Sequence, residues 1–194
     1  MQIRVMILGL SAMLTAVSCS QSDTPSRVVP ALQSTKASTH RESVDFANIP
    51  GQFPTAPTLT DIGQAEAPVG GCVNLSGPAV RAVLTIVDCG SMQNTYRVVQ
   101  RVNTPKECGD ADRPYYHNSS AAGQFTACLD LAWDGLSCIS LGQPVTKVAC
   151  SDTAAPNRIK PIKVLLDTTG LDGCPNGGYK HPQRRFTVCT EEQK

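Results

Sequence analysis

Cys72-Val73-Asn74-Leu75-Ser76-Gly77-Pro78 is written twice in this chain: Cys138-Ile139-Ser140-Leu141-Gly142-Gln143-Pro144 repeats its pattern at an offset of 66 (138 minus 72). Thr85-Ile86-Val87-Asp88-Cys89 returns as Thr146-Lys147-Val148-Ala149-Cys150, at an offset of 61 (150 minus 89). Tyr96-Arg97-Val98-Val99 through Cys108 matches Ile162-Lys163-Val164-Leu165 through Cys174 without a gap, at 66 (174 minus 108). Phe125-Thr126-Ala127-Cys128 returns as Phe186-Thr187-Val188-Cys189, again at 61 (189 minus 128). Each copy thus carries four cysteines in the same order with similar neighbours, which identifies a duplication.

Each copy reads as β structure. Tyr96, Val98, Gln100 and Val102 alternate with Arg97, Val99, Arg101 and Asn103, and Ile162, Val164 and Leu166 alternate with Lys163 and Leu165. Period 2 with charge on one set predicts half-buried strands. Ser76-Gly77-Pro78 and Gly142-Gln143-Pro144 suit turns between strands. Thr104-Pro105-Lys106-Glu107 has a cap residue, Pro at the first helical position and Glu three residues on, so a single helical turn carrying Cys108 is expected there. A weaker equivalent lies around Thr169. The expected fold is mainly β, with two tandem small disulfide-stapled modules, residues 71–133 and 134–194, and few short helical turns.

The chain has nine cysteines and no close C-x-x-C pair, so disulfides explain them better than zinc. Modules of about 60 residues bury little surface, and two bridges in each would contribute about 2 to 4 kcal/mol apiece. If the first two cysteine-bearing segments form a hairpin, the start of one strand faces the end of the next. That favours Cys72 with Cys89, Cys108 with Cys128, Cys138 with Cys150 and Cys174 with Cys189. Pairing of first with fourth and second with third in each module is the main competitor, because four cysteines allow three connectivities.

The ninth cysteine has a different fate. Residues 1–18 read as an export signal: Arg4 supplies a positive charge, and Val5 to Val17 is apolar but shorter than the roughly 20 residues a membrane span needs. Ala16-Val17-Ser18 before Cys19 is similar to the lipobox of bacterial lipoproteins, in which the cysteine sulfur receives diacylglycerol and the signal is cut just before it. Ala16 stands where Leu is more common there, and Ala-x-Ser also suits the general signal peptidase. Parity favours lipidation, since it consumes Cys19 and leaves eight cysteines to pair. Residues 19–70 are then the lipidated N-terminus and a tether rich in Ser, Thr, Pro, Gln and Ala, expected to be disordered and to span roughly 40 Å.

The remaining features point to binding more than to catalysis. His117 and His181 fall in Tyr115-Tyr116-His117-Asn118 and Tyr179-Lys180-His181-Pro182, read as matching loops, while His40 lies in the tether. Every module cysteine has a counterpart in the other copy, as structural half-cystines would, so no catalytic residue is assigned. Gly109-Asp110-Ala111-Asp112 and Leu171-Asp172-Gly173-Cys174 lack the ligand ladder of a calcium loop and read as solvated turns; no metal or cofactor is expected. Lys180, Arg184 and Arg185 make the last loop of the second module basic and are the candidate binding residues. From Gly135 onward 8 Lys and Arg stand against 5 Asp and Glu, or +3, whereas Gly71 to Asp134 has 5 against 6, or −1. An anionic wall polymer or an envelope protein is the partner this suggests, and a formal net charge of +1 argues against nucleic acid. Trp133, the only tryptophan, sits between the copies and is expected to cement them.

Cys72-Val73, Val87-Asp88-Cys89-Gly90, Tyr96-Arg97-Val98, Cys128-Leu129-Asp130, Trp133 and Gly135-Leu136-Ser137-Cys138 together resemble the mycobacterial lipoproteins of the LppU type. The resemblance runs roughly from Gly71 to Cys189 and agrees with the lipobox. It implies a lipid-anchored protein on the extracytoplasmic face of the cell membrane, and it brings no activity, ligand or catalytic residue. The expected function is non-enzymatic binding or scaffolding in the cell envelope. The alternative is an enzyme or enzyme accessory acting on the cell wall, marked by an exposed cleft that combines a histidine with a perturbed acid.

Overall fold

The computed structural model describes residues 45–56 and 59–194. The signal peptide, Cys19, His40 and the first part of the expected tether lie outside the described residues.

Turn chemistry at Ser76-Gly77-Pro78 closes the first hairpin, in which β1 (Cys72–Ser76) pairs antiparallel with β2 (Val83–Val87) and Cys72 stands opposite Val87. Three longer strands follow: β3 (Tyr96–Val102), β4 (Arg113–Ser119) and β5 (Gly123–Leu131). They build a five-stranded sheet in the order β2-β1-β3-β5-β4. The second copy repeats the plan with β6 (Cys138–Ser140), β7 (Thr146–Val148), β8 (Arg158–Leu166), β9 (Gly178–His181) and β10 (Phe186–Gln193), ordered β7-β6-β8-β10-β9. The first hairpins correspond residue by residue, since Cys138 stands opposite Val148 as Cys72 does opposite Val87. The duplication read from the cysteines is therefore a duplication of topology.

One part of the alignment is corrected. Tyr96 pairs with Leu131, and it is Ile159, not Ile162, that pairs with Glu192, the counterpart of Leu131 at the offset of 61 (192 minus 131). The third strands are thus related by 63 residues (159 minus 96). The β-bulges agree: Val99 is skipped in one ladder and Ile162 in the other, again 63 apart (162 minus 99). Ile159-Lys160 and Ile162-Lys163 are the same dipeptide three residues apart, so both match Tyr96-Arg97 by residue class. Only the ladder distinguishes them.

Successive residues of a strand point to opposite faces. Val73, Leu75, Tyr96, Val98, Phe125, Ala127, Leu129 and Leu131 of the first sheet share one buried cluster with Ile139, Phe186 and Val188 of the second, and Trp133 completes it. At about 1.5 to 3 kcal/mol per buried large apolar side chain, this common core is the main favourable contribution to folding. Cys72, Cys128, Cys138 and Cys189 each adjoin a residue of that core and so lie on the opposite, outer faces. The four disulfides join Cys72 to Cys89, Cys108 to Cys128, Cys138 to Cys150 and Cys174 to Cys189, the pairing that the hairpin argument favoured. They staple the faces that have no opposing sheet; under the first, Cys108 and Cys128 pack with Val99 and Val102 as a small second cluster. The 3-10 turn at Pro105–Cys108 forms as expected, with Glu107 accepting hydrogen bonds from the Thr104 backbone N–H and hydroxyl.

The tether does not extend to residue 70. From Asp45 onward the chain is laid against the sheets, with Ile49 and Ala67 buried in the common core and Phe46 packed on it. The buried Arg101 donates to the carbonyl of Ala67 at 2.9 Å, and the Leu59 N–H donates to that of Arg101 at 3.0 Å. Gly63, at φ +79°, crosses so close over Phe125 that a Cβ there would lie 2.4 Å from the ring. Scattered single contacts of this kind leave no periodic trace, so composition alone reads the segment as disordered. Both sheets and this segment belong to one compact unit, Arg41–Lys194. The boundary at Trp133 is accordingly a boundary between repeats and not between separate domains.

Candidate functional site

Opposite charge on the two copies meets at their interface. Arg184, in the turn between β9 and β10, directs Nη1 and Nη2 at the carboxylate of Asp130 on β5 (2.6 and 3.0 Å) and Nε at Asp110 (2.7 Å). Nη1 also donates to the carbonyl of Gln52 at 2.6 Å, so one side chain ties both sheets and the N-terminal segment together. The side chains of Arg184 and Asp130 are 5% and 2% exposed. Burial tends to raise the Asp110 pKa. The Arg184 guanidinium and the backbone N–H groups of Gln183 and Arg184 outweigh it and hold the carboxyl below the usual range.

His181 and Asp112 complete the cluster. Burial, reinforced by the carboxylate of Asp130, pushes Asp112 up to about 8, while burial pushes His181 below the ordinary histidine value. Their closest approach, 3.8 Å from Nε2 to Oδ1, is therefore a contact between two neutral groups at neutral pH. His181 Nδ1 lies 2.9 Å from the Asp110 carbonyl and 2.7 Å from Arg184 Nη2; it can donate to the first or accept from the second, not both. The ring stacks on Phe186 with centroids 4.2 Å apart. A histidine beside a perturbed acid is present, but buried and not set in an open cleft.

The pH dependence of stability follows from these shifts. The raised pKa of Asp112 favours the fold fully below about 3.9, the unfolded value, and that contribution is lost as pH rises through about 8. The lowered pKa of His181 acts oppositely, stabilising above about 6.5 and losing effect below it; the contribution of Asp110 is lost only in acid, below about 4. Between pH 6.5 and 8 Asp112 acts without opposition from either. The thermal midpoint of the oxidised protein should fall across that interval, by the equivalent of at most about 2 kcal/mol, and Asp112→Asn should flatten the slope. An equal slope in both proteins would show that Asp112 is not the titrating group.

An open cleft of about 590 Å³ lies beside Trp133. Phe46, Met92, Ala132, Leu136 and the Cys72–Cys89 disulfide give it apolar walls, and Gln52, Asn94, Arg97 and the Asp134–Lys147 pair add polar groups. Its volume lies within the roughly 300 to 1,000 Å³ of small-molecule sites. Trp133 is buried, and its ring centre lies 5.1 Å from that of Tyr179 on β9, so it does join the copies as expected while also lining the cleft.

Polar accounting sets this cleft apart. Six buried side-chain atoms have no hydrogen-bond partner among the described residues, and four belong to residues lining it: Gln52 Oε1, Asn94 Oδ1, Arg97 Nε and Trp133 Nε1. Each such atom costs about 1 to 3 kcal/mol unless something supplies the missing partner. A second hollow of about 550 Å³, beside Phe53 and Leu59, includes Asp110 and Arg184, which satisfy each other.

Of the residues singled out in the basic loop, Lys180 and Arg185 are exposed and Arg184 is not, because its charge is spent on Asp110 and Asp130. The reading of Gly109-Asp110-Ala111-Asp112 as a solvated turn is corrected for the same reason. His117 and His181 lie on β4 and β9, not in loops, and stand in matching registers opposite Phe125 and Phe186. Among the described residues no group of three or more His, Cys, Asp or Glu is placed to hold a metal ion, and no helix is long and apolar enough to cross a membrane. Compared with protein-family models, curated proteins and solved structures, the chain matches none.

Proposed function

We propose that this protein is an exported lipoprotein, anchored through Cys19 to the extracytoplasmic face of a bacterial cell membrane, and that it binds a small molecule in the Trp133 cleft without transforming it. The observation that carries the binding reading is that four of the six unpartnered buried polar atoms among the described residues belong to residues lining one apolar-walled cleft. Four disulfides in a unit of this size support export, because a reducing cytosol does not keep such bridges. The resemblance to LppU-type lipoproteins belongs to the same proposal. Lys180 and Arg185 remain as surface cations for an anionic wall polymer. Two exposed charges make a weaker case than the cleft.

The anchor is tested on Cys19. Cys19→Ala should release the protein from the membrane fraction into the medium or leave an uncut precursor. A Cys19→Ala protein that is fully processed and still membrane-bound would overturn the lipoprotein reading.

A further inference from the structure

We infer that the cleft takes an amphipathic carboxylate: a small molecule with an apolar body, one carboxylate and an N–H or hydroxyl donor. This rests on the reading of the protein as a small-molecule binder and names the class of its ligand.

The charges lining the cleft identify the head group. Lys147 Nζ is 2.8 Å from Asp134, which also accepts the backbone N–H groups of Leu136 and Ser137, so the charges of that pair compensate each other. Arg97 has no carboxylate within ion-pair distance among the described residues. It donates to the carbonyl of Ala47, lies over the Phe53 ring at 5.2 Å, and leaves Nε buried without a partner. Asp45, whose carboxyl feels the Arg97 charge weakly, is fully exposed and accepts from the Ala47 N–H and the Asn48 amide. Among the described residues lining the cleft, Arg97 is therefore the cation without a carboxylate partner, and the second unpartnered donor is Trp133 Nε1. An acceptor of negative charge satisfies both kinds of site, and a carboxylate is the small acceptor that a guanidinium binds best.

The acceptors identify the rest. Asn94 donates its amide to the Cys89 carbonyl at 2.7 Å, which fixes its orientation and leaves Oδ1 requiring a donor, as Gln52 Oε1 does. A plain hydrocarbon acid offers none; an amide N–H or a hydroxyl does. The rim is apolar, with Met92 half exposed and Leu136 90% exposed, so an acyl or aryl body would cover surface now left to water.

Trp133 is the only tryptophan and lines the cleft, so its fluorescence reports occupancy. The probe is N-decanoylglycine, compared with its methyl ester, added below the micellar range to the full oxidised chain carrying Cys19→Ala so that no protein-bound acyl group competes. The acid should change the emission saturably, the ester should bind at least tenfold more weakly, and Arg97→Gln should weaken the acid at least tenfold while leaving the ester unchanged. Equal binding of acid and ester by the unaltered protein would overturn the carboxylate class and leave the cleft reading standing. No response to either probe would overturn the cleft reading itself. The comparison of acid with ester needs no variant, so it decides the matter even if Arg97→Gln fails to fold.

Discussion

Arg184→Met should destabilise the oxidised protein by about 3 to 5 kcal/mol, far more than its position in a basic turn suggests. The substitution keeps most of the side-chain volume above Phe186 and removes the guanidinium, leaving Asp110 and Asp130 buried without their counter-charge. Breaking one side of such a pair is costly because the remaining charges stay desolvated, whereas an exposed ion pair is worth at most about 1 kcal/mol. Adding Asp130→Asn to Arg184→Met should recover part of the loss, since it removes one of the stranded charges. Denaturant unfolding with the disulfides intact measures both. A loss below about 1 kcal/mol for Arg184→Met would show that the cluster is solvated and does not lock the sheets.

This cluster also shows what can and cannot be read from one sequence. The duplication, the strand character, the cystine pairing favoured by hairpin geometry and the capped turn at Thr104 all depend on residues near one another in the chain, and all are present in the structure. The pairing of Arg184 with Asp110 and Asp130 spans 74 and 54 residues. Its trace in the sequence was the opposite charge of the two copies, which equally suits an external anionic partner. The placement of Arg184 against Asp130 depends on how the two copies pack, and that is a property of the fold.

Residue pattern alone displaces the third strand by three residues because Ile159-Lys160-Pro161-Ile162-Lys163 contains its own short repeat, and hydrophobic pattern cannot choose between equivalent dipeptides. Hydrogen-bond register can. Composition reads the segment from Asp45 onward as tether because its buried residues, Ile49, Gln52 and Ala67, are few and follow no period of 2 or 3.6. The same segment supplies Phe46 and Gln52 to the cleft, so a wall of the candidate site was invisible at the sequence level. Trp133 was the one legible element of that site, as a lone large aromatic at the junction of the copies.

The two copies form one folding unit, and the cleft exists because they do. Its walls come from the N-terminal segment, the first sheet, the junction and Lys147 of the second sheet. Neither sheet can cover its inner face alone: Phe186, Val188 and Ile139 would face water in one half, and Phe125, Leu129 and Val98 would in the other. Disulfides constrain an unfolded chain but cannot replace the missing half of a core. The direct measurement is scanning calorimetry of residues 41–133 and residues 134–194 as separate oxidised chains, beside the joined chain. The joined chain should unfold in one cooperative transition, and the separate halves should show none. Two cooperative transitions near the midpoint of the joined chain would mean that the copies are independent domains, and would contradict both the shared core and the cleft built on it.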